Sequence, residues 1–278
     1  MPELPEVETV RRGLQRLVVG RRIVSVEVGR ERSVRRTSRQ AVVAGMTGAV
    51  VTSANRRGKY LLLPLDTGDE IMVHLRMSGQ LLVAPVGTPR PLHTHVVARL
   101  DDGNELRFVD PRTFGEVVVF DPTNAAVEVP DVALLGPDPI ADGVSLSALR
   151  TMLRSRRRSL KPLLLDQRVI AGIGNIYADE ILHAARLRPD RRSDSLSPVA
   201  ERRLHAAIGG VLEAAIDAGG STLSDAQYLD PAGNAGTYQE RHAVYGRSGE
   251  RCVTCGVGRV RRVVSAQRST HFCPVCQR

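Results

Sequence analysis

The chain has 278 residues and a mass of 30.2 kDa, which is enough for two globular domains and a small module. Hydrophobic residues make up 42% and charged residues 25%, values that exclude a disordered or collagen-like chain. A net charge of +9 predicts a polyanionic partner, with nucleic acid favoured over an anionic membrane. No apolar run approaches the ~20 residues of a membrane span, and the acidic N-terminus is unlike a signal peptide. We therefore expect a cytoplasmic protein that does not bind membranes.

The first part of the chain predicts one helix and then short strands. Apolar residues recur every three or four positions from Leu4, which predicts an amphipathic helix whose preceding residues are accessible to solvent. Seven β-like runs follow: RIVSVEVGR from Arg22, AVVTSAN from Ala49, KYLLLPL from Lys59, EIMVHLRM from Glu70, THVVARL from Thr94, ELRFV from Glu105 and EVVVF from Glu116. Short strands separated by turn residues favour an antiparallel sandwich or barrel.

The pattern changes after residue 130. Pro130, Pro137 and Pro139 are typical of a linker between domains. Four helical runs follow it: SLSALRTMLRSR, KPLLLDQRVI, NIYADEILHAARL and PVAERRLHAAIGGVLEAAIDAGG. We expect a β domain at 1–130, a linker at 131–143, a helical domain at 144–245 and a metal module at 246–278.

The cysteines predict a zinc site. All four lie in the last 27 residues, as the pairs Cys252/Cys255 and Cys273/Cys276 in a C-x2-C-x17-C-x2-C pattern. This spacing is typical of a zinc ribbon, and the alternative is two disulfides. A reducing compartment favours zinc over disulfides. Four protein ligands leave no open position on the metal, so we expect one structural zinc ion.

The extreme N-terminus offers a nucleophile that is not a cysteine. Met1 precedes Pro2, and removal of the methionine would expose a secondary α-amine. Such an amine titrates near 7.7 to 8.0, against about 10.4 for lysine, so part of it is neutral and nucleophilic at physiological pH. Glu3 and Glu6 supply carboxylates for proton transfer. The alternative is a proline that starts a helix and glutamates that complement its dipole, and the residues alone favour it.

The sequence RVIAGIGNIYADEIL predicts a phosphate site. A Gly-Ile-Gly turn that enters a helix lets backbone N–H groups approach an anion, and Asn175 and Tyr177 add side-chain donors. A tight turn between helices would need glycine as well. The Walker pattern is absent, which disfavours nucleotide hydrolysis. Further candidate phosphate contacts, each of which could instead be ordinary surface charge, are Lys59, His74, Lys161, Arg261, Arg262 and Arg268.

Met77, Arg112 and Phe114 lie near or between predicted strands. A protein that extrudes a base from DNA must fill the gap that the base leaves, and long apolar or planar cationic side chains can do so. The alternative for Met77 and Phe114 is a place in the core.

Together these positions resemble the formamidopyrimidine-DNA glycosylase family. The segments that carry the resemblance follow the family order over nearly the whole chain: PELPEVETVRRGL, GKYLLL, HLRMSGQL, DPRTFG, LLLDQRVIAGIGNIYADEIL, VYGRSGERC and AQRSTHFCPVCQ. The resemblance implies an α+β multidomain protein. It would have an N-terminal antiparallel β-sandwich with an N-terminal helix, a helix-two-turn-helix domain and a C-terminal zinc ribbon, with DNA across the cleft between domains.

The resemblance also implies an activity, which is excision of 8-oxoguanine and formamidopyrimidine from double-stranded DNA, followed by β- and δ-elimination at the abasic site. Pro2 would attack C1′ and Glu3 would move protons, with Glu6 in support. The implied DNA contacts are Lys59, His74, His95, Arg112, Lys161, Asn175, Tyr177 and Arg268, with Lys59 and Arg268 in the catalytic set. Met77, Arg112 and Phe114 match the family's void-filling residues. We expect a monomer of the bacterial type, associated with the nucleoid through DNA.

Four positions depart from the family pattern. Arg76 stands where HLGMSG has glycine, Ser224 and Ala226 replace a basic and an aromatic residue after GGSTL, and Thr237 replaces the tyrosine of GYFQE. Because of these departures, the resemblance does not determine which damaged base the protein prefers. One alternative is an endonuclease VIII-like glycosylase for oxidised pyrimidines, against which PELPE and DPRTFG argue. The other is a non-catalytic binder of damaged DNA, against which the intact Pro2 and Glu3 argue.

Overall fold

The computed structural model describes residues 1–223 and 228–278, and the described chain forms two compact units. The first unit comprises Met1–Leu134 and Ala218–Thr237, and the second comprises Leu135–Asp217 and Tyr238–Arg278. The described residues of Ala218–Thr237 therefore group with the N-terminal segment, although the predicted domain boundaries placed them among the helices. The boundaries at 1–130, 131–143, 144–245 and 246–278 stay a prediction.

The first unit begins with the expected amphipathic helix. Helix α1 (Leu4–Leu17) buries Leu4, Val7, Val10 and Leu14 completely, as its period requires. The other elements of the unit are β1 (Ile23–Val28), α2 (Arg39–Met46), β2 (Asn55–Arg57), β3 (Tyr60–Pro64), β4 (Glu70–His74), β5 (Gln80–Pro85), β6 (Thr94–Leu100), β7 (Asn104–Val109), β8 (Glu116–Phe120), α3 (Ala125–Glu128) and α4 (Pro130–Ala133).

The strands form two antiparallel four-stranded sheets, in the orders β1-β6-β7-β5 and β2-β3-β4-β8. One apolar core cluster takes side chains from both sheets and from α1, which confirms the β-sandwich. Two local expectations differ from the structure. AVVTSAN was expected to be a strand, but it makes isolated bridges at Val50 and Val51, and only its last residue, Asn55, belongs to a strand, β2. Strand β5 and helix α2 were not predicted, because their short runs bury only a few of their residues.

The second unit contains the predicted helices and a hairpin. Its helices are α5 (Leu146–Ser155), α6 (Leu160–Leu165), α7 (Asn175–Ala184) and α8 (Pro198–Asp217), and its strands are β9 (Arg261–Ser265) and β10 (Arg268–Phe272). Ala266 and Gln267 join the two strands with φ values of 47° and 60°. Two successive left-handed residues match the twist of a tight hairpin. No helix in the described part of the chain combines the length and apolar character needed to cross a bilayer.

Candidate active site

Glu3 is the N-cap of α1, and it forms a capping box with Glu6 in the first turn. Met1 is 42% exposed, but Pro2 and Glu3 are buried, so the expectation that the residues before the helix are accessible was wrong. The cause lies in Glu6. Its Oε2 accepts a hydrogen bond from Glu3 N at 2.8 Å, and its Oε1 accepts one from Ser221 N at 2.7 Å. Both oxygens of Glu6 thus bind backbone N–H groups, which fixes the backbone next to Pro2.

Lys59 and two histidines lie at or next to the ends of strands in the first unit, and all three are at least nine-tenths buried. His74 ends β4, and its Nδ1 accepts a hydrogen bond from Arg76 N at 2.8 Å. Burial, with the positive charges of Arg76, Lys59 and Arg36, holds the pKa of His74 well below its usual range, so the ring is neutral. His95 Nε2 lies 2.9 Å from the Asp110 carbonyl oxygen. Both histidines bind the protein backbone, so their proposed contact with DNA is not their only role.

The expected void-filling residues lie outside the core. Met77 is 37% exposed and Phe114 is 39% exposed, and Arg112 is exposed as well. The Arg112 guanidinium carbon lies 5.2 Å from the centre of the Phe114 ring, within the range of a cation–π contact. Ser78 Oγ donates to Asp110 Oδ1 at 2.5 Å and so joins the loop of Met77 to the loop of Arg112 and Phe114. The three side chains therefore belong to two connected surface loops.

In the second unit, two candidate phosphate ligands bind the hairpin strand β10. Lys161 is 1% exposed, and its Nζ lies 2.7 Å from Asp179 Oδ1 and 2.8 Å from the Ser269 carbonyl oxygen. Asn175 Nδ2 donates to the same carbonyl at 3.0 Å, and its Oδ1 is buried without a partner among the described residues. Lys161 is thus engaged with protein groups. Asn175 keeps one unused polar atom.

The Gly-Ile-Gly turn before α7 is fixed by a residue that sequence reasoning missed. Gly172 has a φ of 92°, which side-chain-bearing residues rarely adopt. Gln167 accepts a hydrogen bond from Gly172 N at 2.9 Å and donates to the Ile173 carbonyl oxygen at 2.8 Å. Tyr177 follows on α7 with no exposed surface, and its ring centre lies 5.8 Å from that of Tyr238. The turn is rigid, and Tyr177 is a core residue in this structure.

The four cysteines form one cluster. Their Sγ atoms lie within 4.8 Å of one another, and the Cys252–Cys276 and Cys255–Cys273 separations are 3.7 and 3.8 Å. Tetrahedral zinc with bonds near 2.3 Å requires sulfur atoms about 3.8 Å apart. All four thiols are free, so the disulfide alternative does not apply. The donor set fits one structural zinc ion, as expected.

Helix α7 supplies the polar groups around this cluster. His183 is 4% exposed, and its Nε2 lies 3.5 Å from Cys252 Sγ. Glu180 accepts hydrogen bonds from the backbone of Ala243, Val244 and Tyr245 at 2.8 to 3.0 Å. Sequence reasoning missed these residues. The signal was present in NIYADEILHA, where acidic side chains interrupt an apolar helix.

Arg268 is exposed at the start of β10, directly after the hairpin turn, and Arg261 and Arg262 are exposed on β9. No carboxylate in the described part of the chain forms an ion pair with Arg268. The hairpin therefore presents a positive charge to solvent from a position held by Lys161 and Asn175.

Comparisons with known proteins cover the whole chain. Residues 1–117 match the formamidopyrimidine-DNA glycosylase N-terminal domain, residues 135–227 its H2TH domain, and residues 249–278 the zinc finger found in FPG and IleRS. The formamidopyrimidine-DNA glycosylase of Symbiobacterium thermophilum is 46% identical over 278 residues, which cover 100% of this chain and 89% of that protein. That of Heliobacterium modesticaldum is 44% identical over 281 residues, with 100% of both chains covered.

Two solved structures are similar in fold as well. The crystal structure of MutM (Fpg) from Thermus thermophilus has a TM-score of 0.89 and 42% identity, covering 99% of this chain and 98% of that chain. The Lactococcus lactis Fpg in complex with DNA containing an abasic site has a TM-score of 0.91 and 34% identity, covering 99% of each chain. The chain belongs to the formamidopyrimidine-DNA glycosylase family.

The structure describes two of the four positions that depart from the family pattern, Arg76 and Thr237. Arg76 has a φ of 53°, a left-handed conformation that glycine adopts more readily than arginine. Thr237 donates its backbone N–H to the Ala218 carbonyl oxygen at 2.9 Å. Ser224 and Ala226 lie outside the described residues.

Proposed function

We propose that the chain is a bifunctional DNA glycosylase and AP lyase of base excision repair that acts on oxidised purines in double-stranded DNA. The observation that carries the proposal is the N-terminal arrangement. Pro2 and Glu3 are adjacent, and Glu6 Oε2 holds their backbone by accepting a hydrogen bond from Glu3 N at 2.8 Å. The family match over the full chain supports the same reaction. An activity on oxidised pyrimidines and a non-catalytic role remain outcomes that the test below would reveal.

The reaction starts after Met1 is removed, because only then is the Pro2 nitrogen a secondary amine. The amine forms a bond to C1′ as the bond from C1′ to the damaged base breaks, and the base leaves with the electron pair and takes a proton. The sugar ring then opens to an iminium, and Glu3 moves the proton that ring opening requires. The iminium stabilises loss of the C2′ proton, which expels the 3′ phosphate; a second elimination expels the 5′ phosphate. Water finally releases Pro2.

Binding rests on contacts with phosphate. In this proposal Lys59, Arg268 and Asn175 contact the DNA backbone, and Asn175 would do so as an N–H donor at the first position of α7. Lys161 would act differently, because its Nζ is buried against Asp179. We assign it the placement of the hairpin that carries Arg268. A single zinc ion held by the cysteine cluster would fold the same hairpin, and reduced thiolates and a DNA substrate fit a cytoplasmic monomer.

A trapping experiment tests the nucleophile. The protein is incubated with duplexes that contain 8-oxoguanine, formamidopyrimidine or thymine glycol, with borohydride present. We expect a covalent protein–DNA adduct for the two purine lesions, and digestion should place it on the N-terminal peptide. A protein that retains Met1 or carries an N-terminal extension should bind the same duplexes without forming the adduct.

The other outcomes are equally informative. An adduct on Lys59 would contradict the assignment of Pro2. Cleavage of thymine glycol in preference to both purine lesions would favour the pyrimidine alternative. Binding to all three duplexes with no adduct and no strand cleavage, by protein whose N-terminal Pro2 is confirmed by mass, would favour a non-catalytic binder.

A further inference from the structure

The loops that carry the void-filling residues share an unusual backbone feature. Arg76 immediately precedes Met77 and has a φ of 53°, and Thr113 immediately precedes Phe114 and has a φ of 56°. Residues with a Cβ avoid this left-handed region, and they remain in it only where the surrounding contacts hold them. Each exposed apolar side chain is therefore presented by a strained residue. This raises the question of which contacts hold the two loops.

Asp110 supplies the central contact. Its side chain has no exposed surface. Its Oδ1 accepts a hydrogen bond from Ser78 Oγ at 2.5 Å and one from Arg112 N at 3.2 Å, and its Oδ2 accepts one from Gly115 N at 2.7 Å. One carboxylate thus binds the residue after Met77 and the residues on both sides of Thr113 and Phe114. A buried charge with this many donors is costly to move.

Ser78 is the only side chain of the loop 75–79 that binds Asp110 among the described hydrogen bonds, and it also accepts from Arg112 N at 3.3 Å. The rest of that loop is attached elsewhere. Arg76 Nη2 lies 3.3 Å from Glu116 Oε1, and Gly79 N donates to the Leu75 carbonyl oxygen at 2.8 Å. Removal of the Ser78 hydroxyl would therefore cut the direct bond between Ser78 and Asp110 and leave these other attachments in place, including that of Arg76 to Glu116 beside the second loop.

We propose that the Ser78–Asp110 hydrogen bond makes Met77, Arg112 and Phe114 enter DNA as one unit, with Ser78 and Asp110 as positioning residues. The inference rests on the proposed function, since it concerns the gap left by an extruded base. Side chains from separate loops fill one gap well only if the loops hold a fixed distance. When the distance between the loops is fixed, the loss of one side chain also weakens the packing of the others in the gap. The effects of removing two of them must then depend on each other.

The test is a double-mutant cycle measured in two backgrounds. Single-turnover excision of 8-oxoguanine opposite cytosine is measured at saturating enzyme for Met77→Ala, Arg112→Ala and the double variant. In the otherwise unchanged protein, we expect the double variant to lose less rate than the product of the single losses, by at least about threefold. In the Ser78→Ala background, the rate loss of the double variant should equal the product of the two single losses to within about twofold, because the loops no longer act together.

Ser38→Ala is the matched control. This substitution removes a hydroxyl from the same unit, at a position far in sequence from both loops. Ser38 caps α2, where its Oγ accepts a hydrogen bond from Ala41 N at 3.1 Å. The substitution should lower stability by a comparable amount and leave the coupling intact. Ser78→Thr, which keeps the hydroxyl, should restore the coupling. If Ser78→Ala does not fold, Ser78→Cys, whose thiol is only a weak donor, takes its place with the same expectation.

The results separate this inference from the proposed function. Coupling that persists in Ser78→Ala, or is absent in the starting protein, would overturn the role of Ser78 and Asp110 while the glycosylase assignment stands. If Met77→Ala and Arg112→Ala each leave the excision rate unchanged, the void-filling role fails, and this inference fails with it. If no variant and no starting protein excises the lesion, the proposed function itself is wrong.

Discussion

In the first unit, buried carboxylates that accept backbone N–H bonds hold the side chains proposed to act on the base and the sugar. In the second unit, a cluster of four cysteines and a buried ion pair hold the hairpin of Arg268, which is proposed to bind phosphate. Asp110 and Glu6 each bind two or more backbone groups. In contrast, the hairpin of Arg268 depends on the cysteine cluster and on the 2.7 Å contact of Lys161 with Asp179. Chemistry and binding should therefore respond to different perturbations.

Removal of zinc should produce the largest effect, and only in the second unit. A structural zinc ion contributes about 10 to 16 kcal/mol in small zinc modules, because it folds the segment that binds it. Cys273→Ser, or chelation, should therefore unfold the hairpin and weaken DNA binding strongly. Metal analysis, binding titration and the single-turnover rate at saturating enzyme check this. A protein without stoichiometric zinc, or a chelated protein with unchanged affinity, would contradict it.

The buried pair of Lys161 and Asp179 should give the next largest effect. Asp179→Asn leaves the Lys161 charge in a site that is 1% exposed, and unpaired buried charges cost about 3 to 5 kcal/mol. The matched control is Glu27→Gln in the first unit, because Glu27 is 63% exposed and its 2.7 Å pair with Arg90 should contribute less than about 1 kcal/mol. Denaturant titration of both variants measures the difference. Equal losses of unfolding free energy in the two variants would mean that burial does not determine how much each ion pair contributes to stability.

The sequence predicted some of these features and not others for identifiable reasons. The cysteine cluster was predictable because both turns are local, and α1 was predictable because its period continues for four turns. Burial of Lys161 was not predictable, since its partner Asp179 lies on another helix and a basic residue near glycines is typical of phosphate sites. The contact between Ser78 and Asp110 joins residues 32 apart in sequence. Pairings of this kind depend on the register of the sheet, which the composition of each strand does not fix.

Partner-base recognition should depend on the first unit alone. The cytosine edge offers acceptors to a guanidinium, and the adenine edge is a poorer match, so Arg112→Ala should narrow the cytosine-to-adenine excision ratio by about 1 to 3 kcal/mol. Phe114→Ala should slow excision opposite both bases equally, because a stacking ring has no donor pattern. Arg268→Ala in the second unit should weaken binding and leave the ratio unchanged. The measurement is single-turnover excision of 8-oxoguanine opposite each of the four bases. An unchanged cytosine-to-adenine excision ratio in Arg112→Ala would mean that another residue recognises the partner base, and Arg76 would be the first neighbour to test.

The smallest effect should be the pH dependence that His242 gives to the second unit. His242 is 7% exposed, its ring contacts those of Tyr238 and Tyr245, and its carbonyl oxygen accepts from Arg247 Nη1 at 3.2 Å. Burial lowers the pKa of His242 to about 4, although a backbone hydrogen bond of Tyr245 opposes the shift. The unfolded chain, with a pKa near 6.5, binds this proton first.

The stability that the neutral ring provides is therefore complete above pH 6.5 and is lost as the pH falls towards 4. Between pH 7.5 and 5.5, the protein should lose about 1 kcal/mol that a His242→Phe variant, which keeps a ring and cannot titrate, retains. Glu8 in the first unit titrates in a lower window. Burial would raise its pKa, but hydrogen bonds from Arg11 and Arg56 lower it to about 2, so its contribution is intact at pH 5.5. Denaturant titrations at the two pH values, with zinc content recorded, measure the difference between protein and variant. A difference that does not change with pH would mean that the pKa of His242 is the same in the folded and the unfolded protein.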